Sequence, residues 1–259
     1  MVIDITWYGI IIFFFTAFAF SMVGLGGGSV YAPILNMMGH DIKAVGVPGG
    51  NFLVFITAFS SSINYIRKKL VNYKMAFAIL LGTIPTSFLV QNLFYQKASF
   101  EFIWILLVSV VLISGVKSLL FSDFFSDFKL KKEFYEWLVG FFTGIVAGFI
   151  SFVTSIGGGF LMVPVLMQIS YEPKKAGGTS AFVILFTSGI NSIIHFVYNF
   201  NQDYTSNILV YSIAAFAGGL FGSHVSIDKF QSHHVKKLIG IILTIIGGYL
   251  FIKKFLIGG

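Results

Sequence analysis

Apolar residues run through this chain in long blocks separated by short polar stretches. Tyr8 to Val23, Phe102 to Val116, Phe134 to Val153 and Leu238 to Ile252 are examples. Blocks near ~20 residues, wound as helices, match the thickness of a bilayer core, so the pattern predicts membrane-spanning helices. Two blocks are broken in the same way. "GLGGGSVYAPIL" (Gly24–Leu35) and "SIGGGFLMVPVL" (Ser155–Leu166) each place three glycines, four further residues and a proline inside apolar sequence. Both residue types are costly in a helix interior, so each segment predicts a break.

The two breaks belong to a duplication. At an offset of 131 positions Gly26, Gly27 and Gly28 fall on Gly157, Gly158 and Gly159, and Pro33 falls on Pro164. Gly9, Lys43, Gly46 and Ser61 likewise meet Gly140, Lys174, Gly177 and Ser192; later, "GTIPTS" resembles "GGLFGS" after a slip of about five residues. The expected organisation is a first membrane repeat over 1–125, a polar linker at 126–131 and a second repeat over 132–259. Residues 5–38 would stretch ~50 Å as one helix, well beyond a ~30 Å hydrocarbon core, so they are expected to fold back at the glycines. Three further spans follow in each half, near 46–66, 75–94 and 101–119, then 177–199, 207–225 and 236–253.

Basic residues select the sense of the repeats, because Lys and Arg collect in cytoplasmic loops. If each glycine segment lies within one straight crossing, ten fall on one side and seven on the other. If each turns the chain back, Arg67, Lys68, Lys69, Lys74, Lys117, Lys129, Lys131, Lys132, Lys174, Lys175, Lys229, Lys236 and Lys237 share one side. Only Lys43, Lys97, Lys253 and Lys254 then lie opposite. The cleaner asymmetry predicts an all-α polytopic membrane protein built from two inverted repeats. Each repeat is a Gly-broken helical hairpin plus three transmembrane helices, and both termini are non-cytoplasmic.

Composition agrees. The chain is 56% hydrophobic and only 10% charged, where soluble domains carry roughly a quarter charged residues. Its net charge of +7 sits in short loops, which suits lipid headgroups rather than nucleic acid. Asp4 and no basic residue precede the first apolar run, so that run reads as a retained helix, not a secretory leader. There is no cysteine, so no thiolate chemistry or disulfide is available.

The glycine segments are not nucleotide loops. The third glycine of a dinucleotide fingerprint would fall on Ser29, and neither segment carries the lysine of a phosphate-binding P-loop. Small residues allow close helix packing, and broken helices expose N–H groups that attract anions; the two roles are compatible. Together with the uncharged spans beginning near "AVGVPGGN" and "AGGTSAF", the paired motifs resemble the TauE/SafE sulfite-exporter family. The resemblance covers nearly the whole chain. It implies a secondary transporter or facilitator in the bacterial plasma membrane, moving a small sulfur-containing or organic anion such as sulfite, thiosulfate or sulfoacetate. The alternative is a non-transporting membrane subunit that packs partner helices.

Beside the glycines, Thr57, Ser61 and Asn64 recur at i, i+4, i+7 on one helix face, and Ser188, Ser192 and His195 repeat them. With Gly26, Gly27, Gly28, Ser29, Gly157, Gly158 and Gly159 they are the candidate substrate-binding residues. Interhelical hydrogen bonding is the competing role for the stripe. His195 is the candidate proton-sensitive group. Asn51, Gln91, Asn92 and Asn191 are further polar groups in or near apolar runs. All ten carboxylates fall in loops or at span ends, so the usual acidic proton relay is missing; proton or ion coupling stays open. Neither a serine–histidine dyad nor metal-ligand spacing appears. Ser180 and His195 would lie ~22 Å apart along one helix. No cofactor and no enzymatic activity are expected.

Overall fold

The computed structural model describes residues 7–26, 28–120, 133–198 and 205–229, with 241, 244–245, 247–249 and 251–252 beyond them. The 126–131 linker, Gly27 and most of the 236–253 span lie outside the described residues. Every regular element described is helical. The helices are α1 (Trp7–Ser21), α2 (Gly28–Met37), α3 (Val47–Arg67), α4 (Tyr73–Val90), α5 (Phe100–Leu120), α6 (Glu133–Thr154), α7 (Gly159–Gln168), α8 (Pro173–Tyr198) and α9 (Thr205–Lys229). A π-helical turn, Ile42–Gly46, leads into α3, and another, Gln91–Tyr95, extends α4.

Five of these segments are long and apolar enough to cross a membrane: Ile42–Arg67, Tyr73–Tyr95, Phe134–Thr154, Pro173–Tyr198 and Ile208–Val225. Their outer faces carry exposed Phe77, Leu89, Phe142, Ile193 and Ile213. Such a surface is stable only against lipid or another apolar partner. α1 and α7 are too short to cross alone, at 15 and 10 residues.

The glycine segments do turn the chain. Gly24 and Gly26 take φ of +74° and +71°, and Gly157 and Gly158 take +78° and +70°, a left-handed conformation that glycine adopts without a Cβ clash. α2 then runs back along α1: Met38 returns to Gly9, and the Phe13 and Tyr31 rings lie 5.5 Å apart.

Contacts fix the direction of each helix. Gly218 and Gly222 of α9 lie against the Phe14 and Phe18 carbonyls of α1, so α1 and α9 are parallel. Gly140, Gly144 and Gly148 of α6 meet Met75, Ile79 and Thr83 in order, so α6 and α4 are parallel. The four-residue spacing of these glycines is what allows such close approach in an apolar setting. α4 and α8 are also parallel, joined by Asn72 N donating to Thr179 Oγ1 (3.0 Å) and by Thr187 Oγ1 donating to Thr83 Oγ1 (3.0 Å). α3 follows α9, with Phe59 on Phe216 and Asn64 on Leu220 and Ser223. α3 and α8 run antiparallel: Asn51 meets Asn191, Phe55 meets Gly189, and Tyr65 meets Gly178.

One end of the bundle therefore gathers the end of α3, the start of α4 and the start of α8. Arg67, Lys68, Lys69, Lys74, Lys174 and Lys175 sit there. Lys43, before α3, and Lys97, after the second π-turn, sit at the other.

Candidate functional site

The two glycine breaks meet at the middle of the bundle. Gly26 lies against Val54 of α3 and Ile184 of α8, and Gly157 lies against the same two residues and the Leu25 carbonyl. Gly159, the first residue of α7, lies against Ile184 and the Leu25 backbone. α2 and α7 thus both begin here, at the crossing of α3 and α8, and lead away from it. The first N–H groups of a helix have no intrahelical acceptor and carry partial positive charge. Helix N-termini in general attract negative charge in this way. Gly28 opens α2 and Ser29 follows it within the first turn.

The polar stripe divides around this centre. Thr57 shares a 2.8 Å hydrogen bond with the Tyr31 hydroxyl of α2 and donates to the Leu53 carbonyl at 2.9 Å. Ser61 donates to the Ala58 carbonyl. Asn64 turns away to α9, donating to the Leu220 carbonyl (2.8 Å) and Ser223 Oγ (2.9 Å). In the second half Ser188 donates to the Ile184 carbonyl and Ser192 to the Ser188 carbonyl. Ser192 also borders an apolar cavity of about 370 Å³ with Phe52, Phe55, Phe196 and Leu209. His195 stacks on Phe152 (centroids 4.5 Å apart), packs edge-on against Tyr95 (4.9 Å) and places Nε2 3.3 Å from the Phe152 carbonyl. Thr57 is tied to α2 through Tyr31, and Ser188 bonds the carbonyl of Ile184, whose side chain touches both breaks. Asn64 and His195 belong to helix interfaces.

The sequence reading passed over several residues that build the site. Val54 and Ile184 are ordinary apolar positions by pattern, yet they hold the breaks from both sides. Gly140, Gly144 and Gly148 do carry a signal, the four-residue spacing. Ser155, at the head of the second break, takes φ +57° and packs its hydroxyl against Gly50 of α3. Among the described residues no group of His, Cys, Asp or Glu could hold a metal ion.

The paired breaks and the helical architecture agree with comparison to known proteins. The profile described as "Sulfite exporter TauE/SafE" matches residues 9–250. The chain belongs to the sulfite exporter TauE/SafE family. A probable membrane transporter protein of Bacillus subtilis, YunE, is 29% identical over 252 residues, covering 88% of this chain and 90% of the relative. A probable membrane transporter protein of Methanocaldococcus jannaschii is 26% identical over 263 residues, covering 94% of each. The TauE/SafE family protein 2 of Arabidopsis thaliana is 28% identical over 81 residues, 31% of this chain and 17% of its own. No solved structure matches. This family member is a multi-pass membrane protein of transporter type.

Proposed function

We propose that this TauE/SafE protein is a secondary transporter or facilitator for a small sulfur-containing or organic anion in a bacterial plasma membrane. The substrate is held where α2 and α7 begin. The observation that carries the reading is the meeting of the two glycine breaks between Val54 and Ile184, which aims two helix N-termini at one point. Gly26, Gly28, the Ser29 backbone, Gly157 to Gly159, Thr57 and Ser188 line the substrate position. Asn64 and His195 act one layer out, at the interfaces of α3 with α9 and of α8 with α6, while Ser61 and Ser192 bond carbonyls of their own helices. Sulfite, thiosulfate and sulfoacetate are the anions to test first, sulfite because of the family's name.

The repeats are inverted in the membrane, with the Arg67–Lys74 and Lys174–Lys175 end cytoplasmic and both termini outside. Support comes from the antiparallel course of the equivalent helices α3 and α8 and from the gathering of basic residues at one end. The chain lacks cysteine, so single-cysteine labelling is clean. In intact cells a membrane-impermeant maleimide should label Lys97→Cys and spare Lys69→Cys; the reverse pattern overturns the orientation. For function, purified protein in liposomes should move at least one of the three labelled anions, and Gly158→Leu should stop it while still inserting. Absence of flux for all three, with a stable partner co-purifying, overturns transport in favour of a packing subunit.

A further inference from the structure

The bundle is not closed between α3, α8 and α9. Phe52 and Phe55 of α3, Ile193 and Phe196 of α8, and Ile208 and Leu209 of α9 surround the cavity of about 370 Å³ that Ser192 borders. Ile208 is buried, on the inner side, while Ile193, Phe196 and Leu209 are exposed at the rim. These lining residues belong to three segments long and apolar enough to cross a membrane, Ile42–Arg67, Pro173–Tyr198 and Ile208–Val225. The opening is therefore continuous with the lipid-facing surface of the bundle. Along α8 the lining runs from Gly189 to Phe196, ~10 Å of helix axis, most of the ~15 Å hydrocarbon depth of one leaflet.

The lining suits hydrocarbon and not water. Among the described residues that line the cavity the one hydroxyl, Ser192 Oγ, already donates to the Ser188 carbonyl at 2.7 Å, and a buried water needs several polar partners. Phe52, Phe55 and Phe59 step along α3 with ring centroids 6.5 and 6.4 Å apart, which gives one wall a continuous apolar face. An empty cavity forfeits the dispersion contacts of its walls, and a flexible hydrocarbon chain restores them.

The duplication shows that the architecture does not require the opening. At the offset of 131 positions Phe196 corresponds to Tyr65, and Gly189 to Ala58. Tyr65 is 2% exposed, packs with Val71 and Ala181, and donates its hydroxyl to the Ser21 carbonyl at 3.0 Å. Phe196 is 55% exposed. The chain closes this position itself in one half and leaves it open to the membrane in the other. The inner end of the cavity reaches Gly189, where a Cβ would lie 3.1 Å from Phe55 Cδ2. An occupant thus touches the pair at which α3 crosses α8.

We propose that this cavity binds one acyl chain of a membrane phospholipid. The chain enters laterally between α8 and α9 and lies along α8, with its end beside Gly189 and Phe55. The site rests on the membrane-spanning fold alone and is independent of what the protein transports. The chain has no cysteine, so a bimane label on Leu209→Cys reports from the rim. Delipidated full-length protein in detergent is titrated with a phosphatidylcholine brominated on its acyl chains, whose bromines quench the label on contact. Quenching at 209 should saturate at a low lipid-to-detergent ratio, and unbrominated phosphatidylcholine should reverse it. At Phe142→Cys, on the outer face of α6, quenching should only rise in proportion to the lipid in the micelle. Ser192→Phe fills the cavity and should remove the saturable phase at 209; where that variant does not fold, the contrast between 209 and 142 decides alone. Proportional quenching at both positions, or an unchanged saturable phase in folded Ser192→Phe, overturns the site. So does an unquenched label in a protein that sediments as a dimer, which gives this face to a second copy of the chain.

Discussion

Gly159→Ala isolates the contact between the two glycine breaks. Gly159 begins α7 with helical backbone, so alanine brings no dihedral strain. What it brings is a Cβ 2.8 Å from both the Leu25 Cα and the Ile184 Cδ1, and 3.1 Å from the Leu25 carbonyl oxygen. Carbon pairs are comfortable at about 3.5–4.0 Å, so the shortfall is about 0.7–1.2 Å. The Ile184 methyl can rotate aside, but Leu25 meets the new carbon with its backbone. The first break must therefore back away from the second, at a cost of about 1–3 kcal/mol for overpacking. Gly157→Ala is the complementary change. Its Cβ would find contacts of 3.2 to 3.6 Å, but on a backbone at φ +78°, so its cost is about 1–2 kcal/mol of left-handed strain with the contact preserved. Thermal unfolding in detergent and anion flux in liposomes together separate the two. Both variants should unfold earlier than wild type. Flux per folded molecule should collapse in Gly159→Ala and largely survive in Gly157→Ala. A Gly159→Ala protein that is as stable and as active as wild type refutes the meeting of the breaks.

Two further outcomes follow from the same geometry. Asn64→Leu removes both bonds from α3 to α9 and should destabilise by about 1 kcal/mol; an unchanged unfolding temperature shows that the α3–α9 contact is not held there. His40, between α2 and the first π-turn, is partly buried, and desolvation lowers its pKa below the ordinary 6.5. The fold therefore resists charging it: stability is intact above about pH 6.5 and falls as pH drops through that value toward the folded-state pKa. His40→Gln should flatten the decline in unfolding temperature between pH 7 and pH 5, and an identical slope removes His40 from the account.

The breaks were legible because glycine and proline have few uses inside apolar helices, and the same breach occurs twice. The inverted sense of the repeats is an expectation drawn from lysine and arginine; in the folded bundle Arg67, Lys68, Lys69, Lys74, Lys174 and Lys175 lie at one end. The facing of the polar stripe was not legible. In an apolar setting a serine or threonine can satisfy its hydroxyl on its own helix, as Ser61, Ser188 and Ser192 do, so periodicity alone does not say what the hydroxyl faces. Asn64 shows the same limit, because its partners are a carbonyl and a serine of α9, some 156 residues away. The π-turns escaped for a different reason: "IKAVG" and "QNLFY" differ from ordinary helix only in their hydrogen-bond spacing.

The most extensive helix packing joins residues 1–125 to residues 132–259 rather than lying within either half. α1 packs most extensively on α9 and α6 on α4, while α3 packs on α8 and α9; each of these pairs joins one repeat to the other. A motion that rocked residues 1–125 against 132–259 would open the tightest glycine contacts in the molecule. A division into two mixed bundles, α1, α3 and α9 on one side and α4, α6 and α8 on the other, keeps the α1–α9 and α4–α6 glycine contacts and places the Gly24–Gly177 contact at the dividing surface. They meet at the α3–α8 crossing and at the glycine breaks, so a change of access there leaves the Gly82, Gly140, Gly144, Gly218 and Gly222 contacts intact. Cross-links in this cysteine-free chain test the division. In the Ala78→Cys, Gly140→Cys pair, within one bundle, the Ala78 Cβ lies 3.2 Å from the position of a Cβ at 140, close enough for a disulfide after slight adjustment. Oxidising it should leave anion flux intact. The Phe55→Cys, Gly189→Cys pair ties α3 to α8 across the division, where Phe55 already touches Gly189, and its oxidation should stop flux until a reductant restores it. Flux blocked by the first cross-link and untouched by the second would show that the repeats, rather than the mixed bundles, are what moves.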